Sequence, residues 1–171
     1  VAWDLACIEL GCVSLALPNE KPRRNLRELI EAYQLTLLAT DAGWIGKAAP
    51  HERVVDIDPA SSQAERRVAP RPLEHAPGTH SLVFSSGTTG KTKGLVVSGR
   101  GTEHLVSLYR QAFGVAPGER FLTFLPFANY QQRMTYYFCL YHGVDFVSVP
   151  FTRLFAGLKK HMPTFVIAPP I

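Results

Sequence analysis

Phe84 to Gly94 reads FSSGTTGKTKG, and the reading of the fold turns on it. From Ser85 to Gly94 every residue is a glycine, a lysine or a bearer of a hydroxyl. Glycines let backbone N–H groups approach oxygens with no Cβ in the way, hydroxyls add donors, and lysine supplies positive charge. That combination suits a polyphosphate. The bland alternative is a surface hairpin, but ordinary turns use one or two such residues rather than an unbroken run. Ser81 to Phe84 ahead of the run and Leu95 to Val97 behind it both read as strands.

A nucleoside-triphosphatase P-loop, G-x-x-x-x-G-K-S/T, is one phosphate-binding reading, because Gly90, Lys91 and Thr92 match its end. Ser85 stands where its first glycine belongs. That motif also requires a helix to start at the lysine and aim its N-terminus at the phosphates. Gly94 to Gly99, GLVVSG, is a poor helix, and Asp145 begins an apolar strand where a magnesium-holding Asp would finish one. The P-loop stays as a lesser alternative.

Outward from the loop, a helix is expected over Thr102 to Phe113 with Thr102 as N-cap, ended by Gly114 and a Pro117-Gly118 turn. Phe121 to Leu125, Val144 to Val149 and Thr164 to Ala168 read as strands, separated by helices near Gln131 to Tyr141 and Thr152 to His161. Upstream, a helical spacing from Trp3 to Leu10 breaks at Gly11 and gives way to a strand over Val13 to Leu17. Asn25 and Glu28 form a capping box for a helix running to about Tyr33, followed by strands at Thr36 to Ala39 and Arg53 to Ile57. The alternation predicts an α/β fold, a mainly parallel sheet with helices on both faces. Residues 1–57 supply the first αβ units, 58–78 an exposed connection without period, and 79–171 the loop and the βα units after it.

Of 171 residues, 46% are apolar and 19% charged, a globular balance that excludes disorder and collagen-like repeats. No stretch reaches the ~20 apolar residues of a membrane span, and no leader peptide is visible at the start. Cys7, Cys12 and Cys139 are too few for a disulfide framework and sit in apolar runs, which makes the cytoplasm the expected location. Neither the cysteines nor the scattered histidines have zinc spacing, and Ser85 and Ser86 lack the G-x-S-x-G elbow of serine hydrolases. Charge is uneven: residues 1–80 carry 9 basic and 11 acidic groups, residues 81–171 carry 9 and 3, so the second part is net +6. The bases are dispersed, which favours an anionic small molecule over nucleic acid.

FSSGTTGKTKG resembles the phosphate loop of the adenylate-forming superfamily, TSGTTGxPKG, which serves acyl-CoA synthetases, luciferases and peptide-synthetase adenylation domains. The resemblance runs in order along nearly the whole chain. Trp3 to Leu17 is similar to the family's early helix and strand, and Phe124 to Phe127 to its LPLxH segment. Gly143 to Pro150 and Pro163 to Pro170 are similar to its later Gly-then-strand and PTxxxxxPP segments. It implies the N-terminal part of an AMP-forming acid–thiol ligase. A carboxylate attacks the α-phosphate of ATP, giving an acyl adenylate and pyrophosphate, and coenzyme A or a phosphopantetheine carrier protein then takes the acyl group.

By the same resemblance, Ser85, Ser86, Gly87, Thr88, Thr89 and Gly90 would contact the β- and γ-phosphates, with Thr88 or Thr89 helping to hold Mg2+. Lys93 would be the catalytic cation, and Asn129 would lie by the acyl carboxylate. Thr92 replaces the usual Pro, Gly99 stands where a His often follows, and Asn129 replaces the LPLxH His; Asn donates a hydrogen bond but carries no charge. Asn129 to Tyr141 is similar to a segment of fatty acyl-CoA synthetases, and an FDxS-like element of peptide synthetases is absent. The expected substrate is therefore a fatty or other apolar acid, although plain core packing is the readier explanation of the aromatics on that helix. The YGxTE segment, the ribose-binding Asp and the lid lysine of the family lie outside this sequence, so this segment alone is not expected to complete the reaction. A degenerate relative that binds nucleotide or a partner without chemistry is the alternative.

Overall fold

A computed structural model describes residues 2–17, 30, 33–40, 54–56, 74–85 and 93–168, with only the backbone at 54–56, 85 and 93. The described residues fall into two units, Val1–Pro77 and Gly78–Ile171. In the first, helix α1 (Ala2–Glu9) is followed by the short strand β1 (Ser14–Leu15). The turn between them closes with Cys12 N donating to Cys7 O at 2.7 Å, and Gly11 takes φ 65°, which only glycine adopts without strain. Strands β2 (Leu38–Thr40) and β3 (Val54–Asp56) pair in parallel. The capping box at Asn25 and Glu28 and most of the expected connection lie outside the described residues.

The second unit holds strands β4 (Thr79–Ser85) and β5 (Lys93–Ser98), helix α2 (Gly99–Phe113) and strand β6 (Arg120–Thr123). Helix α3 (Tyr130–His142), strand β7 (Asp145–Ser148), a 3₁₀ turn at Phe151–Arg153, helix α4 (Leu154–His161) and strand β8 (Phe165–Val166) complete it. β6 is flanked by β7 and β8, both parallel to it. Phe121, Phe146 and Phe165 stand in register across this sheet, with centroids 5.7 and 4.8 Å from Phe121. Their face packs with Phe138 and Cys139 of α3. Leu122 points the other way, as alternation along a strand requires, and there a Cβ on Gly157 of α4 would come within 3.5 Å of it. Helices therefore cover both faces of a parallel sheet, as the α/β alternation predicts.

Two details depart from the sequence reading. β4 and β5 are antiparallel, so the sheet character is mixed around the glycine loop. α2 starts at Gly99, three residues early, and its N-cap is Ser98, whose Oγ accepts from Gly101 N at 3.1 Å. Two glycines in the first turn argue against helix on propensity, but the cap outweighs them. A Cβ on Gly101 would sit 3.1 Å from the capping oxygen, so the glycine keeps the cap uncrowded.

α3 is buried from Gln132 through Cys139. A helix buried all round rather than on one stripe is a core element, and Met134, Tyr136 and Tyr137 form a cluster with Val106 of α2. Arg120 ties the sheet's lower end together: Nη2 reaches Asp145 at 2.8 Å and Nη1 donates to His161 O at 2.8 Å. Its backbone oxygen accepts from Thr164 N at 2.8 Å.

Candidate functional site

β4 and β5 form an antiparallel hairpin in which Phe84 faces Gly94 and Ser85 faces Lys93. Ser85 is the last residue of β4, and Lys93 occupies the first position of the return strand. Ser86, Gly87, Thr88, Thr89 and Gly90 lie outside the described residues, and Ser85 and Lys93 are described by their backbone. This topology overturns the P-loop alternative. A P-loop needs a helix from the lysine of Gly90-Lys91-Thr92, whereas the chain is a strand again by Lys93.

The hairpin is built from β-branched and aromatic residues, Val83, Phe84, Val96 and Val97, which favour strands. Its root is closed by Gly99 N donating to Gly78 O at 2.9 Å. Gly99, at the position where the family often has His, opens α2 and takes part in this closure.

The second expected contact region is the carboxyl end of the parallel sheet, where α/β folds collect their ligands. Asn129 is there, six residues past the end of β6. It is the exposed N-cap of α3, its Oδ1 accepting from Gln131 N at 3.0 Å. The hydrogen-bond donors of that side chain are on its amide nitrogen. Phe124 and Phe151 pack against each other at the same end, centroids 5.7 Å apart.

The structure also brings out polar residues that composition does not single out. Thr123 Oγ1 donates to Gln132 Oε1 inside the unit, and Gln132 Nε2 reaches Ile167 O at 3.5 Å. Arg133 Nε donates to Tyr137 Oη at 3.0 Å, and its guanidinium carbon lies 5.9 Å from the Tyr137 ring centroid. Their one sequence signal is a Gln-Arg pair inside an otherwise aromatic helix. Met134, Tyr136, Tyr137 and Phe138 belong to the core, while Tyr141 is 78% exposed. Core packing therefore accounts for most of the aromatic stripe.

Among the described residues no group of three or more His, Cys, Asp or Glu converges on a point. The donors that the loop sequence offers are hydroxyl oxygens, hard ligands that suit Mg2+ and not a soft metal, and Mg2+ is commonly bound largely through substrate phosphates. Burial pushes the Cys139 thiol up to about 12, so it is no nucleophile. Among the described residues no helix is long and apolar enough to cross a membrane.

A family model for AMP-binding enzymes matches residues 1–171. Tyrocidine synthase 2 of Brevibacillus parabrevis is 29% identical over 121 residues, which is 70% of this chain and 3% of that protein. The chloroplastic long-chain-fatty-acid–[acyl-carrier-protein] ligase AEE15 of Arabidopsis thaliana is 27% identical over 93 residues, 54% of this chain and 13% of its own length. Among solved structures, o-succinylbenzoate CoA synthetase (MenE) of Bacillus subtilis with its acyl-adenylate intermediate superposes with a TM-score of 0.74 at 19% identity. The match covers 97% of this chain and 45% of that one. CmiS6 gives a TM-score of 0.78 at 23% identity, over 99% and 42%. The chain thus spans a small part of its curated relatives and less than half of these solved chains.

Proposed function

Because this chain belongs to the AMP-binding enzyme family, we propose that the protein containing it activates a carboxylic acid with ATP and passes the acyl group to a thiol. The observation that carries the reading is the hairpin whose paired Ser85 and Lys93 bracket the donor-rich loop. Attack of a carboxylate on the α-phosphate releases pyrophosphate, and the barrier falls when the leaving group is neutralised and held in line. Ser85, Ser86, Thr88, Thr89 and the loop amides hold the β- and γ-phosphates, and Lys93 balances their charge. Thr88 or Thr89 would help hold Mg2+, which would neutralise charge on the triphosphate; a MenE structure was solved with ATP and magnesium, which supports this pair of ligands. Coenzyme A or a phosphopantetheine carrier is the acceptor, and the free cysteines suit a reducing, cytoplasmic setting.

For the acid itself, we favour an apolar carboxylate near Asn129. The resemblance of Asn129 to Tyr141 to a segment of fatty acyl-CoA synthetases supports this choice. The relatives include both a peptide synthetase and a fatty-acid ligase. Exchange of labelled pyrophosphate into ATP by the full-length protein, run across fatty, aryl and amino acids, tests both statements. Exchange with apolar acids is expected. Exchange with amino acids alone overturns the choice of acid, and none with any acid favours a non-catalytic nucleotide binder.

A further inference from the structure

The geometry points to His80 as a positioning residue for ATP, one that sets the aim of the phosphate-loop hairpin from its opposite end. This inference rests on the reading of the hairpin given above. In the β4–β5 register Thr79 faces Ser98 while Ser81 faces Val97, so β4 carries one extra residue at this point, and that residue is His80. A bulge of this kind bends the strand and re-aims one side chain. The His80 ring, re-aimed, shares a hydrogen bond between Nε2 and Thr102 Oγ1, 2.7 Å apart, in the first turns of α2. It also lies 6.3 Å, centroid to centroid, from Tyr137 of α3, the ring that accepts Arg133. One side chain therefore links β4, α2 and the buried α3.

Beside the bulge Ser81 and Val97 are 0% and 8% exposed, and Val83, farther toward the tip, is 7% exposed while Leu95 and Val96 are 49% and 59% exposed. At ~3.3 Å per residue, Ser85 stands about 17 Å along the strand from His80, and a tilt of about 5° at the root moves the tip by roughly 1.5 Å. Displacements on that scale are large for groups that must meet phosphate oxygens. The His80–Thr102 bond opposes this tilt, and Thr102 is placed for it because Ser98, not Thr102, caps the helix.

The test uses the full-length protein with three variants: His80→Ala and Thr102→Val, which remove the bond, and His80→Gln, which keeps a hydrogen-bonding group at similar reach. Expected is a rise of about five- to tenfold in KM for ATP, and in Kd for a non-hydrolysable ATP analogue, in the first two variants; this is the factor one net hydrogen bond supports. KM for the carboxylic acid stays within about twofold, and His80→Gln recovers most of the ATP effect. A purely structural role lowers the folded fraction and kcat while leaving both KM values alone, and that result overturns the proposal, as does unchanged analogue affinity. If His80→Ala fails to fold, Thr102→Val on the half-buried helix face decides by the same criteria. If the wild type binds the analogue but exchanges no pyrophosphate with any acid, the catalytic reading fails and Kd alone judges His80. If it binds none, both fall.

Discussion

Thr123 and Gln132 offer a double-mutant cycle whose outcome follows from their burial. The Thr123 hydroxyl donates to Gln132 Oε1, and the two residues are 3% and 1% exposed. In Thr123→Val the shape is kept, but the Gln132 oxygen loses its donor where water does not reach. Leaving a buried acceptor unsatisfied costs about 1–3 kcal/mol, more than the ~1 kcal/mol net value of the bond itself. Gln132→Leu strands the Thr123 hydroxyl and releases the 3.5 Å contact to Ile167 O, for a loss in the same range. In the double variant both buried polar groups are gone and two apolar side chains meet, so the only remaining cost is the half-buried Ile167 carbonyl. The double variant should therefore be about 1–2 kcal/mol more stable than the sum of the singles implies. Urea unfolding, read as the shift in midpoint at constant m-value, measures all four corners. Additivity within about 0.5 kcal/mol would show that the two oxygens do not share a bond and refute the reasoning.

Lys93→Ala should slow adenylation by about a hundredfold, the usual cost of losing one group that stabilises developing charge, and near-normal turnover would remove it from the site. Ser98→Ala should destabilise by about 1 kcal/mol through loss of the α2 cap while Ser98→Asp does not; equal losses in thermal unfolding would contradict the cap. Asn129→Ser keeps the α3 cap, so unfolding should be unchanged while KM for the acid rises if the amide meets the carboxylate; an unchanged KM confines Asn129 to capping. Exposed Cys12 should alkylate readily at pH 8 while Cys139, held at about 12 by burial, reacts only on unfolding; equal native labelling rates by peptide mapping would contradict this burial. The Cys139 shift is upward from 9.0, so its contribution to stability is intact below pH 9 and is lost as pH rises toward 12.

The periodicities of the second unit were legible because each strand there is a short apolar run ended by a turn residue. The structure ends α2 at Gly114, with positive φ, as the sequence suggests, and ends α3 at Gly143 in the same way. The start of α2 differs from the sequence reading because helix propensity penalises Gly99 and Gly101, while the decisive interaction is one hydrogen bond that Ser98 Oγ accepts from Gly101 N. The antiparallel direction of β5 was not readable either. Val83 and Val97 bury their side chains in either direction, and the choice is made by a loop too short for a parallel crossover. Of the candidate site, the loop is proposed from its density of donors and its residues 86–92 lie outside the described residues, whereas the bulge at His80 leaves no trace in hydropathy. Its partner Thr102 reads in the sequence as a helix cap, a role that Ser98 takes in the structure. Gln132 and Arg133 were visible only as polar residues in an aromatic helix, and burial gave them their meaning.

A crystal structure of the full-length protein with a non-hydrolysable ATP analogue and Mg2+ tests the central claim most directly. The account predicts triphosphate oxygens within hydrogen-bond distance of the loop between Ser85 and Lys93. A nucleotide bound elsewhere, with that loop untouched, would contradict it.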